Sequence, residues 1–128
     1  MALNVLLTSA ALLAVAIGAA HSWLGEKYLL SRLLRLEKLP RIRGSRSFTR
    51  HTIRFAWHLT TVALLGMAGV LLVLSGSPHP APSSRGILAS VSATFLLSAL
   101  LLAVGARLRH FSWFVFLAIG VLTAAALM

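Results

Sequence analysis

Residues 2–23 read ALNVLLTSAALLAVAIGAAHSW, twenty-two positions without a Lys, Arg, Asp or Glu. A helix rises 1.5 Å per residue, so a run of this length crosses the ~30 Å hydrocarbon core of a bilayer. Lipid offers no partner to an open backbone, which leaves a helix as the conformation of the segment. A secretory leader would carry basic residues before the apolar run. Here they follow it, and an uncleaved membrane helix is expected.

Outward from this run the pattern repeats. Apolar stretches lie at about 55–75, 86–106 and 110–128. The expected fold is all-α, an integral membrane four-helix bundle in one domain over 1–128, with the first helix at about 2–23. Between helices one and two, residues 26–39 (EKYLLSRLLRLEKL) place Leu29, Leu30, Leu33, Leu34 and Leu36 at helical steps among basic residues. That predicts a basic amphipathic helix at the inner leaflet, ended by Pro40. Ser45 or Ser47 then offers an N-cap for helix two. On the other side, residues 76–85 form a Pro-rich outer loop, with Ser83 or Ser84 expected to cap helix three. The turn at Arg107 to Arg109 is short enough to make helices three and four an antiparallel pair.

The composition agrees. Of 128 residues 59 % are hydrophobic and 11 % charged, whereas a soluble domain carries roughly a quarter charged residues. A net charge of +10 would suggest nucleic acid in a soluble protein. Nine of the twelve Lys and Arg residues, however, lie between Lys27 and Arg54, beside apolar segments. That clustering indicates membrane topology, and no nucleic-acid partner is expected. By the positive-inside rule the basic connections face the cytoplasm and both termini face out. Arg in excess of Lys and the short chain suggest a bacterial inner membrane. Trp23, Trp57 and Trp113 fall near the same boundary, as one half of an aromatic belt.

Close helix packing in lipid depends on small residues. Ala10, Ala14 and Gly18 on helix one, Gly66 and Gly69 on helix two, Ser90, Thr94 and Ser98 on helix three, and Gly120 with Ala124 on helix four are candidates. Such thin helices leave little interior, so a homo-oligomer or a place in a larger membrane complex is expected.

Function is constrained chiefly by what is missing. The chain has no Cys, Asp or Gln, and Glu26 and Glu37 are its only carboxylate side chains. Thiolate metal sites and most acid-dependent hydrolysis are thereby removed. Spacing alone assembles no nucleophile–base pair, and catalysis ranks last. Length and helix count are similar to those of small multidrug transporters, but that family relies on a carboxylate within the first helix, absent here. They are also similar to those of small fluoride channels, whose third-helix polar and Phe pattern is absent too. A passive path lined by hydroxyls stands third among the functional readings.

Two sets of residues remain. His21, His58 and His110, from three helices, fall at one membrane level, with His51 and Glu26 as further members. Imidazoles on facing helices are the ligands a transition metal or a haem requires. The second set is Arg50, Arg54, Arg107, Arg109 and the three Trp residues, placed to hold an anionic lipid headgroup. Nine basic residues against two carboxylates leave the first connection at about +7. Each basic side chain near an anionic leaflet contributes ~1 kcal/mol of attraction. The expected function is a non-enzymatic membrane module whose cytoplasmic-side His/Arg/Trp layer holds a metal, a haem or a lipid headgroup. The alternative is a structural or assembly subunit in which the histidines are belt residues.

Overall fold

A computed structural model describes residues 3–109 and 111–128 of the chain. Four helices account for most of them: α1 (Val5–Leu24), α2 (Arg46–Leu74), α3 (Arg85–Gly105) and α4 (Ser112–Ala125). α1 continues without a break into a π-helical segment, Gly25–Leu30, and a last helical turn, Ser31–Leu33. The spans Val5–Leu33, Arg46–Leu74 and Pro82–Gly105 are each long and apolar enough to cross a membrane, the mark of a multi-pass membrane protein. α4 is apolar but has 14 residues, fewer than the ~20 that a full crossing takes.

Several boundaries differ from the reading of the sequence. α2 starts at Arg46 rather than near 55, because helix formation and hydropathy are separate properties: Arg and Lys are good helix formers. Ser45 is its N-cap, its hydroxyl accepting from Phe48 N at 3.2 Å. The expected helix over 26–39 ends at Leu33, where Arg35 N and Leu36 N donate to Arg32 O and Leu33 O, both at 3.2 Å, and tighten the chain into turns. Leu34 and Leu39 are then buried, Thr49 Oγ1 donates to Pro40 O at 2.8 Å, and the loop folds back onto α2. Ser84 does not cap α3 with its side chain; its hydroxyl donates to Ala81 O at 2.8 Å.

α1 is central, packed against α2 on one side and α4 on the other, while α3 packs against α4. Small residues set these approaches. Ala10, Ala11, Ala14 and Gly18 are buried on α1, and a Cβ at Gly18 would lie 3.5 Å from Leu64 Cβ. A Cβ at Gly120 of α4 would come within 2.7 Å of Leu96 Cδ2 on α3. The other two stripes do not act this way. Gly66 and Gly69 face open space. Ser90, Thr94 and Ser98 bond back to the carbonyls of Gly86, Ser90 and Thr94 in their own helix. Ser92, on the neighbouring face, makes the interhelical bond instead, donating to Gly120 O at 2.9 Å.

The end of the molecule with the proline loop is fastened by the single asparagine. Asn4 caps α1 by accepting from Leu7 N at 3.1 Å and donates through Nδ2 to Pro78 O at 2.9 Å. Its backbone N–H donates to Ser75 O at 2.9 Å, so one residue ties the start of α1 to the end of α2. Outward faces stay apolar, with Val62, Val73 and Leu101 more than half exposed, as suits helices solvated by lipid rather than water.

Candidate functional site

At the basic end, α1 and α2 run antiparallel with two polar pairs facing each other. Ser22 and Glu26 stand four residues apart on α1 and its continuation, Arg54 and His58 four apart on α2, and an i, i+4 spacing puts each pair on one helix face. Ser22 Oγ lies 2.7 Å from His58 Nδ1. His58 Nε2–H donates to Glu26 Oε2 at 3.3 Å. With the proton on Nε2, Nδ1 is free to accept from the Ser22 hydroxyl, so a neutral imidazole satisfies both neighbours. Arg54 completes the row through two nitrogens, Nη2 to Glu26 Oε1 at 2.9 Å and Nε to Oε2 at 3.3 Å.

One step along the same interface, His21 and Trp57 exchange hydrogen bonds. His21 Nε2–H donates to Trp57 O at 3.3 Å, and Trp57 Nε1–H donates to His21 O at 3.1 Å. Their rings stack with centroids 4.4 Å apart and planes inclined by 6°. The indole occupies the place a side chain would take at Gly25: a Cβ built there runs into Nε1, Cε2 and Cζ2 of Trp57. Glycine is therefore required where α1 gives way to its π-helical segment, a form that recurs at functional positions.

Beside this row lies a groove of about 480 Å³ lined by Glu26, Ser31, Leu34, Arg35, Arg50 and Arg54. Three arginines line it, Arg35 from the turn after α1 and Arg50 and Arg54 from the first turns of α2. Only Arg54 is paired with a carboxylate; Arg35 and Arg50 make no ion pair among the described residues. Arginine forks match the planar or tetrahedral oxygens of carboxylate and phosphate, so the groove carries the side-chain chemistry that an anion would require.

The predicted site residues divide accordingly. Arg50, Arg54, His58 and Glu26 come together. His21 is next to them but turned to Trp57. His51 is exposed, its Nδ1–H donating to Ser47 O at 2.8 Å, away from the others. His110 lies outside the described residues. Among the described residues no three His or Glu side chains converge as a metal set. Arg107 and Arg109 lie in the α3–α4 turn and do not line the groove. Trp23 is exposed, with Lys27 Nζ 5.0 Å from its ring centroid, and Trp113 is half-buried against Phe114.

Ser22 and Arg35 did not emerge from the sequence as site residues. The signal for Ser22 was available, because it shares a face with Glu26 while His21, five positions away, does not. The pair of a hydroxyl and an imidazole that spacing failed to assemble is thus present as Ser22–His58. Comparison with protein-family models, with curated proteins and with solved structures gives no match.

Proposed function

We propose that this chain is a four-helix membrane protein of a bacterial inner membrane whose basic end binds the phosphate-bearing headgroup of an anionic lipid. The observation that carries the reading is the groove between the end of α1 and the start of α2, where Arg35, Arg50 and Arg54 meet around about 480 Å³. Its rim supports a lipid rather than a soluble anion: Leu29, Tyr28 and Phe55 are exposed close by in sequence, an apolar surface along which acyl chains can lie. Charge works in the same direction, since the segment from Lys27 to Arg54 carries nine basic residues and an anionic leaflet concentrates beside it.

A metal or haem is supported less well. His58 has both ring nitrogens engaged, by Ser22 and Glu26, while His21 and His51 each turn one ring nitrogen to a backbone carbonyl, Trp57 O and Ser47 O. The positive-inside rule orients the groove to the cytoplasm and both termini outward. A reporter fused after Met128 that is active only on the cytoplasmic side would reverse this orientation.

The function itself is tested by titrating the detergent-purified full chain with a short-chain phosphatidic acid. Replacing Arg35 and Arg50 together with Ala removes two charge-assisted contacts and should weaken binding by roughly tenfold or more. Unchanged affinity in that variant would sink the proposal.

A further inference from the structure

The groove already holds an anion of its own. Glu26 lines it and occupies Arg54 through Nη2 at 2.9 Å and Nε at 3.3 Å, the two-nitrogen face that a phosphate would use. A ligand that takes all three guanidiniums must displace this carboxylate or share Arg54 with it. Displacement leaves Glu26 with a partner, because His58 Nε2 stands 3.3 Å away and is itself held by Ser22 at 2.7 Å. Glu26 and Arg54 are both substantially exposed, at 40 % and 48 % of their side-chain surface, so the pair is one that water weakens and an incoming anion can open.

Resting on the headgroup reading above, we infer that Glu26 is the resident counter-anion of the groove and makes it selective for a doubly charged phosphomonoester headgroup over a singly charged phosphodiester. A phosphodiester exchanges one negative charge at Arg54 for another and gains little there. A phosphomonoester carries ~1.5 to 2 charges near neutral pH. It can displace the carboxylate from Arg54 and still reach Arg35 and Arg50, which have no carboxylate of their own among the described residues.

The test uses the full chain in detergent, titrated at one fixed pH with short-chain phosphatidic acid and, separately, short-chain phosphatidylglycerol. The native protein should bind the first more tightly. Glu26→Gln keeps an acceptor for His58 and Arg54 but removes the charge. It should tighten phosphatidylglycerol by roughly 1.5- to fivefold, the range that exposed ion pairs span, and narrow the preference. Glu37→Gln removes the same charge from outside the groove and should change neither affinity. Equal tightening by the two variants, or none in Glu26→Gln, would overturn the role of Glu26. Loss of affinity in the Arg35/Arg50 double variant alongside an inert Glu26→Gln would discard this inference and retain the headgroup reading. Inorganic phosphate competing as well as phosphatidic acid would instead overturn the lipid as the source of the phosphate.

Discussion

The α1–α2 and α3–α4 pairs bring antiparallel helices together by different means. α3 and α4 are joined by residues 106–111, a connection so short that it enforces the pairing. Its geometry is a Schellman cap, with Leu108 N donating to Ala103 O at 2.8 Å and Arg107 N to Val104 O at 3.2 Å. Contact is then made by Gly120 against Leu96 and by the Ser92–Gly120 bond. α1 and α2 have no such short link and are separated by residues 34–45. Their basic ends are fastened by His21–Trp57, Ser22–His58 and Glu26–Arg54. α3 and α4 thus meet through one small residue, a single interhelical hydrogen bond and a short turn. Polar side chains are concentrated instead at the basic end of the α1–α2 interface, and the arginine-lined groove adjoins that end.

The sharpest way to break the comparison is to place a methyl group at the tightest glycine of each pair. At Gly25 the obstacle is the Trp57 indole, fixed by its bond to His21 O and by stacking on His21. At Gly120 the nearest atoms are the far end of Leu96, which can swing, followed by Leu96 N at 3.1 Å. Both Gly25→Ala and Gly120→Ala overpack. Gly25→Ala should cost the more, about 2–3 kcal/mol against about 1 kcal/mol, because a rigid, hydrogen-bonded ring must leave its place. Thermal unfolding in detergent measures both, and tryptophan emission should shift only in Gly25→Ala. A larger loss from Gly120→Ala would mean that the polar row contributes little to holding α1 and α2 together.

The α3–α4 turn offers a change in the other direction. Arg107 and Leu108 both sit in the left-handed region, at φ 47° and φ 61°. Glycine is the residue that favours this conformation at a helix C-terminus. Arg107→Gly should stabilise the turn by about 0.5–1 kcal/mol, read as a rise in melting temperature, and leave headgroup binding unchanged because Arg107 does not line the groove. Lost binding would show that the second basic turn belongs to the site after all.

The same contrast explains what could be read from the sequence. Apolar length announced four spans, of which three are long and apolar enough to cross a membrane while α4 has 14 residues, and the Pro-rich loop and Ser45 cap were placed by local chemistry. The groove was half legible: Arg50, Arg54, His58 and Glu26 stood out as charged or titratable residues beside apolar runs. Ser22 shares a face with Glu26, which spacing does show, but only the facing helix supplies its partner His58. Trp57 looked like a belt residue, yet it is held by His21 over Gly25, a tertiary arrangement that no local pattern announces. The π-helical segment has the same origin. Arg35 enters the groove only because the chain stops being helical after Leu33, where a regular amphipathic helix was expected.

The smallest effect is expected at Thr61, one turn from His58 toward the middle of α2. Its hydroxyl is buried and is without a hydrogen-bond partner among the described residues. A helical threonine ordinarily bonds the carbonyl four residues back, which here is Trp57 O, and that oxygen receives His21 Nε2 at 3.3 Å. With the helical N–H of Thr61 on one lone pair of Trp57 O and His21 on the other, that carbonyl has no acceptor site left for the Thr61 hydroxyl. Replacing an unpartnered buried hydroxyl with a methyl of the same shape removes a desolvation cost, so Thr61→Val should be neutral or stabilising by up to ~1 kcal/mol. In a His21→Ala background Trp57 O is released, the Thr61 hydroxyl gains an acceptor, and the same substitution should become destabilising. A reversal of sign between the two backgrounds, measured as a double-mutant cycle in detergent, would tie the orphaned hydroxyl to the histidine–tryptophan clasp. Identical effects in both would separate them and reduce the clasp to a local contact.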